Sequence, residues 1–252
     1  MKTALITGAT SGIGKATAEL FATQGFRLIV CGRRSAVLDK LKDELSKQTE
    51  VISLVFDQRE FNQIETALNS LPGEWKNIDV LVNNAGNAHG LDTVENGSIE
   101  DWDAMMDGNV KGILYVSKLI IPGMKQRKSG HIVNISSVAA RQTYVNGVVY
   151  CASKRAVDVI SEGLRLELTE FGIKVTNIQP GLVETDFSKV RFKGDEDRAK
   201  SVYTGYKALE AKDIADAISY CVNAPSHVAI SDLTIYPSAQ SEPRTVYKSL
   251  EN

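Results

Sequence analysis

The sequence predicts an α/β protein with one Rossmann-type domain, a doubly wound parallel sheet of about seven strands with helices on both faces. Short apolar runs rich in β-branched residues recur along the chain, and amphipathic helical patterns lie between them. A glycine-rich turn joins the first apolar run to the first helical pattern. Strands that alternate with helices pair in parallel through right-handed crossovers, and this places helices on both faces of the sheet.

Each apolar run is too short for a helix and ends at Gly, Pro, Asn or Ser, which is typical of a buried strand. The predicted strands cover residues 4–6, 28–30, 51–56, 80–82, 132–135, 175–178 and 233–235. Helices are predicted over residues 15–23, 37–45, 102–124 and 150–171. Because the chain contains no linker, repeat or low-complexity segment, residues 1–252 are predicted to form a single domain.

The segment 185–212 interrupts this alternation, because it is polar and highly charged and follows the sixth predicted strand. Open α/β sheets bind ligands beside the carboxyl ends of their strands, so one interpretation of the segment is a mobile substrate lid. A pair of solvated surface helices is the other interpretation, and composition alone does not separate the two. Residues 237–252 are predicted to form a C-terminal tail.

Composition and charge exclude several classes of function. The 252 residues include 29 Lys and Arg against 31 Asp and Glu, and the net charge of −2 gives no electrostatic reason to bind nucleic acid or an anionic membrane. The longest apolar stretches are interrupted well before the ~18 residues that a membrane span needs. Cys31, Cys151 and Cys221 form neither a disulfide framework nor a metal-binding pattern. With no recognisable signal peptide, the sequence predicts a soluble cytoplasmic protein without a metal site.

The glycine-rich turn has the spacing Gly-x-x-x-Gly-x-Gly. Glycines at these positions let backbone N–H groups approach a pyrophosphate at the positive N-terminus of the following helix. The turn is therefore predicted to bind a dinucleotide. The residues predicted to do so are Gly8, Thr10, Ser11, Gly12, Ile13 and Gly14.

Two adjacent arginines follow the second predicted strand, where dinucleotide-binding folds distinguish between cofactors. An acidic residue there would hold a ribose 2′-hydroxyl, whereas an arginine would hold a 2′-phosphate. The strand ends in Gly32, Arg33 and Arg34, with no acidic residue. Since guanidinium groups pair with phosphate through two hydrogen bonds, the sequence predicts NADP as the cofactor.

Tyr150 and Lys154 lie four residues apart at the start of a predicted helix, so their side chains share one face. A neighbouring ammonium favours the phenolate, which suits proton exchange with an alcohol while hydride leaves the same carbon. Ser136 and Ser137 end the fifth predicted strand, and a hydroxyl at that point could hydrogen-bond the substrate oxygen. The tyrosine–lysine spacing is common by chance and gains its meaning from the motifs around it.

Together these motifs resemble the short-chain dehydrogenase/reductase family over nearly the whole chain. The similarity includes the glycine-rich turn at 7–14, Asn-Asn-Ala-Gly at 83–86, Asn109, Ser137, Tyr150, Lys154 and Pro-Gly at 180–181. The resemblance implies that Tyr150 is the general acid/base and that Ser137 orients the substrate oxygen. It also implies that Lys154 holds the nicotinamide ribose and lowers the pKa of Tyr150, and that Asn109 anchors a water of the proton relay.

The same resemblance implies cofactor contacts away from the turn. Asp57 would contact the adenine, and Asn84, Ala85 and Gly86 would lie along the adenosine ribose. The residues expected beside the nicotinamide carboxamide are Pro180, Gly181, Val183 and Thr185. Family members are usually dimers or tetramers, so a homodimer or homotetramer built through the helices at 102–124 and 150–171 is expected.

A narrower resemblance, to the NADP-dependent 3-hydroxy acid dehydrogenases, rests on Gly-Arg-Arg at 32–34, Leu-Pro-Gly-Glu-Trp at 71–75 and above all Val-Arg-Phe-Lys-Gly-Asp at 190–195. It implies hydride transfer between NADP(H) and the 3-position of small 3-hydroxy acids such as serine, L-allo-threonine and 3-hydroxypropionate. Such a substrate needs a partner for its carboxylate, and Arg141, Arg191 and Lys193 are the candidates. Arg191 is favoured because it lies just beyond the nicotinamide loop.

Two other functions remain open. A broad-specificity carbonyl or 3-oxoacyl reductase would share the fold, the cofactor and the catalytic residues. A non-catalytic nicotinamide-binding sensor would typically lack the tyrosine or the lysine, and both are present. The chain also departs from the family pattern at Gly108, where the family tends to have Thr, and after residue 235, where the usual Gly-Gly is absent.

Overall fold

The seven predicted apolar runs form the strands of one parallel sheet in the computed structural model, which describes residues 1–249. Two further short strands, β7 and β8, form a separate sheet. The strands in chain order are β1 (Thr3–Thr7), β2 (Arg27–Gly32), β3 (Val51–Val55), β4 (Val80–Asn83), β5 (Gly130–Ile135), β6 (Ile173–Pro180), β7 (Val183–Glu184), β8 (Leu209–Glu210) and β9 (Asp232–Ile235). Residues 250–252 of the predicted tail lie outside the described residues.

The strand order of the main sheet is β3-β2-β1-β4-β5-β6-β9, and all neighbouring strands are parallel. In β1, Leu5 is opposite Ile29 of β2 on one side and Leu81 of β4 on the other. The winding of the chain thus reverses between β1 and β4, which opens a crevice at the carboxyl ends of these strands. The predicted doubly wound parallel sheet of seven strands is confirmed.

Helices cover both faces of this sheet. They are α1 (Gly12–Thr23), α2 (Ser35–Leu45), α3 (Phe61–Asn69), α4 (Ile99–Met106), α5 (Gly112–Arg127), α6 (Val148–Leu168), α7 (Phe187–Arg191), α8 (Glu196–Ser201) and α9 (Ala211–Asn223). The predicted helices at 15–23, 37–45 and 150–171 correspond to α1, α2 and α6. Helices α3 and α9 lie outside the predicted elements, although Ile64 and Leu68 of α3 recur at helical spacing.

Side chains alternate between two apolar layers because successive strand residues point to opposite faces of the sheet. Ile6 of β1 shares one layer with Phe21 of α1. Leu5, next to it, shares the other layer with Met124 of α5 and Leu168 of α6. All five side chains are fully buried, and burial of such a side chain stabilises the fold by about 1.5–3 kcal/mol.

The predicted helix over 102–124 lies within one unbroken helical run, which consists of α4, a π-helical turn and α5. A π-helical turn over Asp107–Lys111 separates α4 from α5. The side chain of Gln58 fills the space beside it, where Nε2 donates to the carbonyl oxygen of Gly108 at 2.8 Å. A Cβ on Gly112 would lie 2.8 Å from Cγ of Gln58. The π-helical turn thus packs against a side chain that is distant in the sequence, and such turns often lie at functional sites.

The charged segment 185–212 contains α7, α8 and β8, which pairs with β7 just before the segment. Behind it runs the tail, in which Gln240 and Val246 form an antiparallel bridge. Among residues 1–249, the helices are too short or too polar for any of them to cross a membrane.

Candidate active site

The carboxyl ends of β1, β4, β5 and β6 open into one cavity of about 490 Å³. Most of the residues predicted to bind cofactor or substrate line it. They are Gly8, Thr10, Ser11, Gly12, Ile13, Arg33, Arg34, Asp57, Asn84, Ala85, Gly86, Ser137, Tyr150, Lys154, Pro180, Gly181, Val183, Thr185 and Arg191. Gly14 and Asn109 are absent from the lining and lie behind it.

Two glycines of the turn have left-handed backbone angles, with φ of +65° at Gly8 and +54° at Gly12, which other residues rarely adopt. A Cβ on Gly8 would lie 2.8 Å from the Cα of Ala85. A Cβ on Gly14 would overlap the side-chain amide of Asn84 and the carbonyl oxygen of Gly8. Gly14 therefore acts by letting α1 pack closely on the ends of β1 and β4.

The start of α1 offers unpaired backbone donors to the cavity. Ser11 precedes the helix, and its side chain makes no capping hydrogen bond. The first N–H groups of α1 therefore keep their capacity to bind an anion. Nδ2 of Asn84 donates to the carbonyl oxygen of Thr7 at 2.9 Å and holds the turn against β4. This glycine cradle fits the pyrophosphate of a dinucleotide, and a side chain at Gly8 would fill it.

The two predicted arginines lie at the far end of the cavity from Tyr150, each held by a neighbouring residue. Nη2 of Arg34 donates to Oγ1 of Thr10 at 2.7 Å, and Nη1 of Arg33 lies 3.5 Å from Oδ2 of Asp57. Arg59, which the sequence analysis missed, lies 2.7 Å from the same carboxylate and also lines the cavity. Burial would raise the pKa of Asp57, but the hydrogen bonds from Arg59 and the charge of Arg33 outweigh it and lower that pKa. This end of the cavity is therefore cationic and suits a phosphate.

Tyr150 and Lys154 both lie on the first turns of α6 and are buried. Nζ of Lys154 donates to the carbonyl oxygen of Ile135 at 2.9 Å and lies 6.0 Å from the centroid of the Tyr150 ring. Ser137 lies close enough to Tyr150 for its hydroxyl to lower the pKa of the phenol. The hydroxyl of Ser136 instead lies 2.7 Å from Oδ1 of Asp158, so Ser137 is the serine that faces the tyrosine.

Burial shifts both ionisable groups of this cluster toward their neutral forms. It raises the pKa of Tyr150, and the hydrogen bond with Ser137 and the charge of Arg191 only partly oppose that rise. Burial also lowers the pKa of Lys154 to about 8, against the opposing charge of Asp158. The net shift at Tyr150 is thus opposite to the one expected from a neighbouring cation alone, because desolvation outweighs it.

Asn109 lies in the π-helical turn and is fully buried. Its Nδ2 donates to the carbonyl oxygen of Asn87 at 2.8 Å and to Oγ of Ser153 at 3.0 Å, while its Oδ1 accepts from the backbone N–H of Asn87 at 2.8 Å. A Cβ on Gly86 would lie 3.0 Å from Oδ1 of Asn109 and 3.4 Å from Nζ of Lys154. The structure thus brings Asn109, Gly86 and Lys154 together, and the water-anchoring role of Asn109 stays a prediction.

Of the three basic residues considered for a substrate carboxylate, Arg191 lines the cavity. Its guanidinium lies 5.4 Å from the centroid of the Tyr150 ring and donates to the hydroxyl of Tyr144 at 3.0 Å. Lys193 pairs with Asp101 at 2.9 Å instead, and the guanidinium of Arg141 lies against the sheet side chains Gln179 and Thr234.

Tyr144 and Arg244 also line the cavity and are not among the residues predicted from the sequence. Tyr144 lies in the loop between β5 and α6, and its position six residues before Tyr150 carries no recognisable pattern. Arg244 belongs to the tail, whose return to the cavity depends on long-range contacts and leaves no local signal.

Comparisons with known proteins agree with this geometry. The family model for short chain dehydrogenases matches residues 2–196. The NADP-dependent 3-hydroxy acid dehydrogenase of Escherichia coli K12 is 44% identical over 238 residues, which are 94% of this chain and 95% of that protein. The enzyme of the same name from Schizosaccharomyces pombe is 38% identical over 250 residues, 98% of this chain and 96% of its own. A solved closed form of serine dehydrogenase complexed with NADP+ superposes with a TM-score of 0.92 at 43% identity, covering 95% of this chain and 96% of that one.

Proposed function

Because the chain belongs to the short-chain dehydrogenase family, we propose that this NADP-dependent oxidoreductase transfers hydride between NADP(H) and the 3-position of small 3-hydroxy acids, such as serine, L-allo-threonine and 3-hydroxypropionate. The observation that carries the proposal is the guanidinium of Arg191, 5.4 Å from the Tyr150 ring and inside the same cavity. The names of the relatives, including serine dehydrogenase, support the same substrate class.

The cofactor is held by the turn and by the cationic end of the cavity. The N–H groups at Gly12 and the start of α1 bind the pyrophosphate, and Arg33 and Arg34 bind the 2′-phosphate. Asp57 contacts the adenine, Asn84, Ala85 and Gly86 lie along the adenosine ribose, and Pro180, Gly181, Val183 and Thr185 lie beside the carboxamide. Bound NADP supplies the hydride acceptor for the substrate carbon.

The proton of the substrate hydroxyl is taken by Tyr150 during oxidation and returned by it during reduction. Ser137 hydrogen-bonds the same substrate oxygen and holds it against the phenol. Lys154 holds the nicotinamide ribose, and Asn109 continues the proton path toward solvent. Arg191 pairs with the substrate carboxylate and so sets which carbon of the substrate meets Tyr150.

We expect Arg191→Gln to raise KM for 3-hydroxypropionate by about 30-fold, the value of a charge-assisted hydrogen bond. Oxidation of an uncharged short alcohol should change by less than about twofold, because no carboxylate is lost from its complex. The measurement is NADPH formation with each substrate. Arg141→Gln, the same substitution outside the cavity, is the matched control and should leave both values unchanged.

The same assay tests the function itself. NADP-dependent turnover of serine, L-allo-threonine or 3-hydroxypropionate by the wild-type protein is the expected result. Turnover of uncharged alcohols or ketones alone would favour a broad carbonyl reductase instead. If Arg191→Gln lowers kcat/KM equally for charged and uncharged substrates, Arg191 does not bind the substrate carboxylate.

Arg33→Gln combined with Arg34→Gln is expected to raise KM for NADP by about 10- to 100-fold, because two charged partners of the 2′-phosphate are lost. KM for NAD should change little, since NAD carries no phosphate there. Kinetics with both cofactors on the same variant provide the internal control. A parallel loss with NAD would mean that the arginines hold the adenosine pocket together rather than read the phosphate.

The assembly and the segment 185–212 are part of the same proposal. Ile99 of α4, Leu114 of α5 and Leu166 of α6 are exposed apolar side chains, which suits a homodimer or homotetramer built through these helices. Arg191 lies on α7, within 185–212, which suits the lid interpretation of this segment. A cytoplasmic, single-domain enzyme fits three unpaired cysteines.

A further inference from the structure

The tail is anchored beside the cavity along residues 237–249. The buried side chain of Gln240 accepts a hydrogen bond from the backbone N–H of Leu182 at 2.9 Å, in the loop that follows β6. The backbone N–H of Tyr247 donates to the carbonyl oxygen of Ala239 at 2.7 Å. The tail therefore forms a hairpin whose base is fixed to the cofactor-binding loop.

The tip of this hairpin is also fixed. The backbone N–H of Ser241 donates to the carbonyl oxygen of Thr245 at 3.1 Å, which closes the turn. The carboxylate of Glu242 accepts hydrogen bonds from the side chains of Gln142 and Thr245. Pro243 is buried, and the turn presents Arg244 to the cavity. The backbone that carries Arg244 is thus held in place before any ligand binds, while Arg244 itself is exposed.

Arg244 and Arg191 contact the same aromatic ring. The guanidinium carbon of Arg244 lies 5.4 Å from the centroid of Tyr144, and that of Arg191 lies 5.6 Å from it. Within the part of the chain that the structure describes, neither guanidinium forms an ion pair with a carboxylate. Two guanidinium groups without a carboxylate partner leave two positions at which a negative group can be paired, so this part of the cavity suits a ligand with more than one negative group.

The two arginines have different positions relative to the reacting centre. Arg191 lies over Tyr150 as well as Tyr144, whereas Arg244 contacts Tyr144 alone among the aromatic rings of residues 1–249. Building on the proposed function, in which Arg191 holds the substrate carboxylate, we propose that Arg244 is a specificity-determining residue that binds a second carboxylate. The preferred substrates are then 3-hydroxy acids that carry a further carboxylate at the end remote from Arg191.

The test compares 3-hydroxyglutarate with its monomethyl ester, which removes one negative charge and adds a single methyl group. We expect the wild-type enzyme with NADP to show kcat/KM about fivefold higher for the diacid, the range of an exposed charge pair. Arg244→Gln should bring the two values together by lowering the value for the diacid and leaving that for the ester unchanged. Added salt should reduce the preference in the wild-type enzyme and have no such effect in the variant.

Lys248→Gln is the matched control, because Lys248 lies in the same tail and is absent from the cavity lining. It should retain the wild-type preference. Thermal unfolding and NADPH affinity of both variants, expected to equal those of the wild type, exclude loss of the hairpin. An equal loss on diacid and ester in Arg244→Gln would give Arg244 a structural role and overturn its role in specificity.

The possible results distinguish the role proposed for Arg244 from the proposed function on which it rests. If the wild-type enzyme oxidises 3-hydroxypropionate but shows no preference for the diacid, the role of Arg244 is wrong and the proposed function stands. If the Arg244→Gln variant keeps the preference for the diacid, the role of Arg244 is also wrong. If only uncharged alcohols react, both proposals are wrong.

Discussion

Tyr150→Phe is expected to lower kcat by about 10³-fold, since a positioned acid/base group contributes about 10²- to 10⁴-fold. The substitution removes one oxygen and leaves the aromatic ring in its packing, 5.8 Å from the ring of Phe187. KM for the substrate and affinity for NADPH should therefore stay within about twofold of the wild type. Steady-state kinetics in both directions and NADPH titration measure these values.

Tyr144→Phe is the matched control, because Tyr144 is a second tyrosine, partly buried, in the same cavity. Its hydroxyl accepts from Arg191, so its loss should affect KM for a carboxylate substrate more than kcat. A fall in kcat for Tyr144→Phe as large as that for Tyr150→Phe would contradict the assignment of Tyr150 as the proton-transfer group.

The pH dependence of the wild-type enzyme follows from the burial of the phenol. Because burial raises the pKa of Tyr150, the group is protonated at neutral pH and acts as an acid there. Reduction needs protonated Tyr150, so its rate should stay constant through neutral pH. Oxidation needs the deprotonated phenolate, so its rate should increase as pH rises. Tyr150→Phe should remove this rise from its residual activity.

Local chemistry in the sequence accounts for the fold and for most of the cavity. A residue such as Gly8 is recognisable because only glycine tolerates its backbone angle and the approach of Ala85. Arg33 and Arg34 are recognisable because the end of β2 is a fixed distance along the chain from the turn. In both cases the requirement for a particular residue type comes from neighbours within a few residues along the chain, so it can be recognised in the sequence.

Features that depend on distant parts of the chain could not be predicted in this way. The π-helical turn between α4 and α5 packs against Gln58, about fifty residues away, and Arg244 reaches the cavity through a hairpin held by Gln142 and Leu182. Local spacing alone does not separate Ser136 from Ser137; the family resemblance selects Ser137, and the hydrogen bond of Ser136 with Asp158 agrees with that choice. Arg191 could be named from the sequence, but Tyr144 and Arg244, which lie beside it in the cavity, are of this second kind, and a fold alone leaves the substrate open.

Lys154→Met is expected to abolish most activity and to stabilise the cofactor-free protein at the same time. The pKa of Lys154 is about 8 in the folded protein and 10.5 is its ordinary value. The unfolded chain therefore binds more protons between these two values, so stability rises with pH across that window and is lowest below about pH 8. At pH 7 the buried charge of Lys154 destabilises the wild-type protein by about 3 kcal/mol, and the substitution removes this cost. The variant also loses the hydrogen bond to Ile135, which is worth about 1 kcal/mol. Its free energy of unfolding should therefore be about 2 kcal/mol higher than that of the wild type.

Denaturant unfolding at several pH values tests this directly. The gain should shrink as pH rises from about 8 toward 10.5, because the wild-type lysine then loses its charge in the folded state. Lys174→Met is the matched control: burial also lowers the pKa of Lys174, but that side chain donates to the carbonyl oxygens of Ala224 and Val228, away from the cavity. It should leave activity unchanged. A Lys154→Met protein that is less stable than the wild type at pH 7 would contradict the idea that this charge is kept for function at the expense of stability.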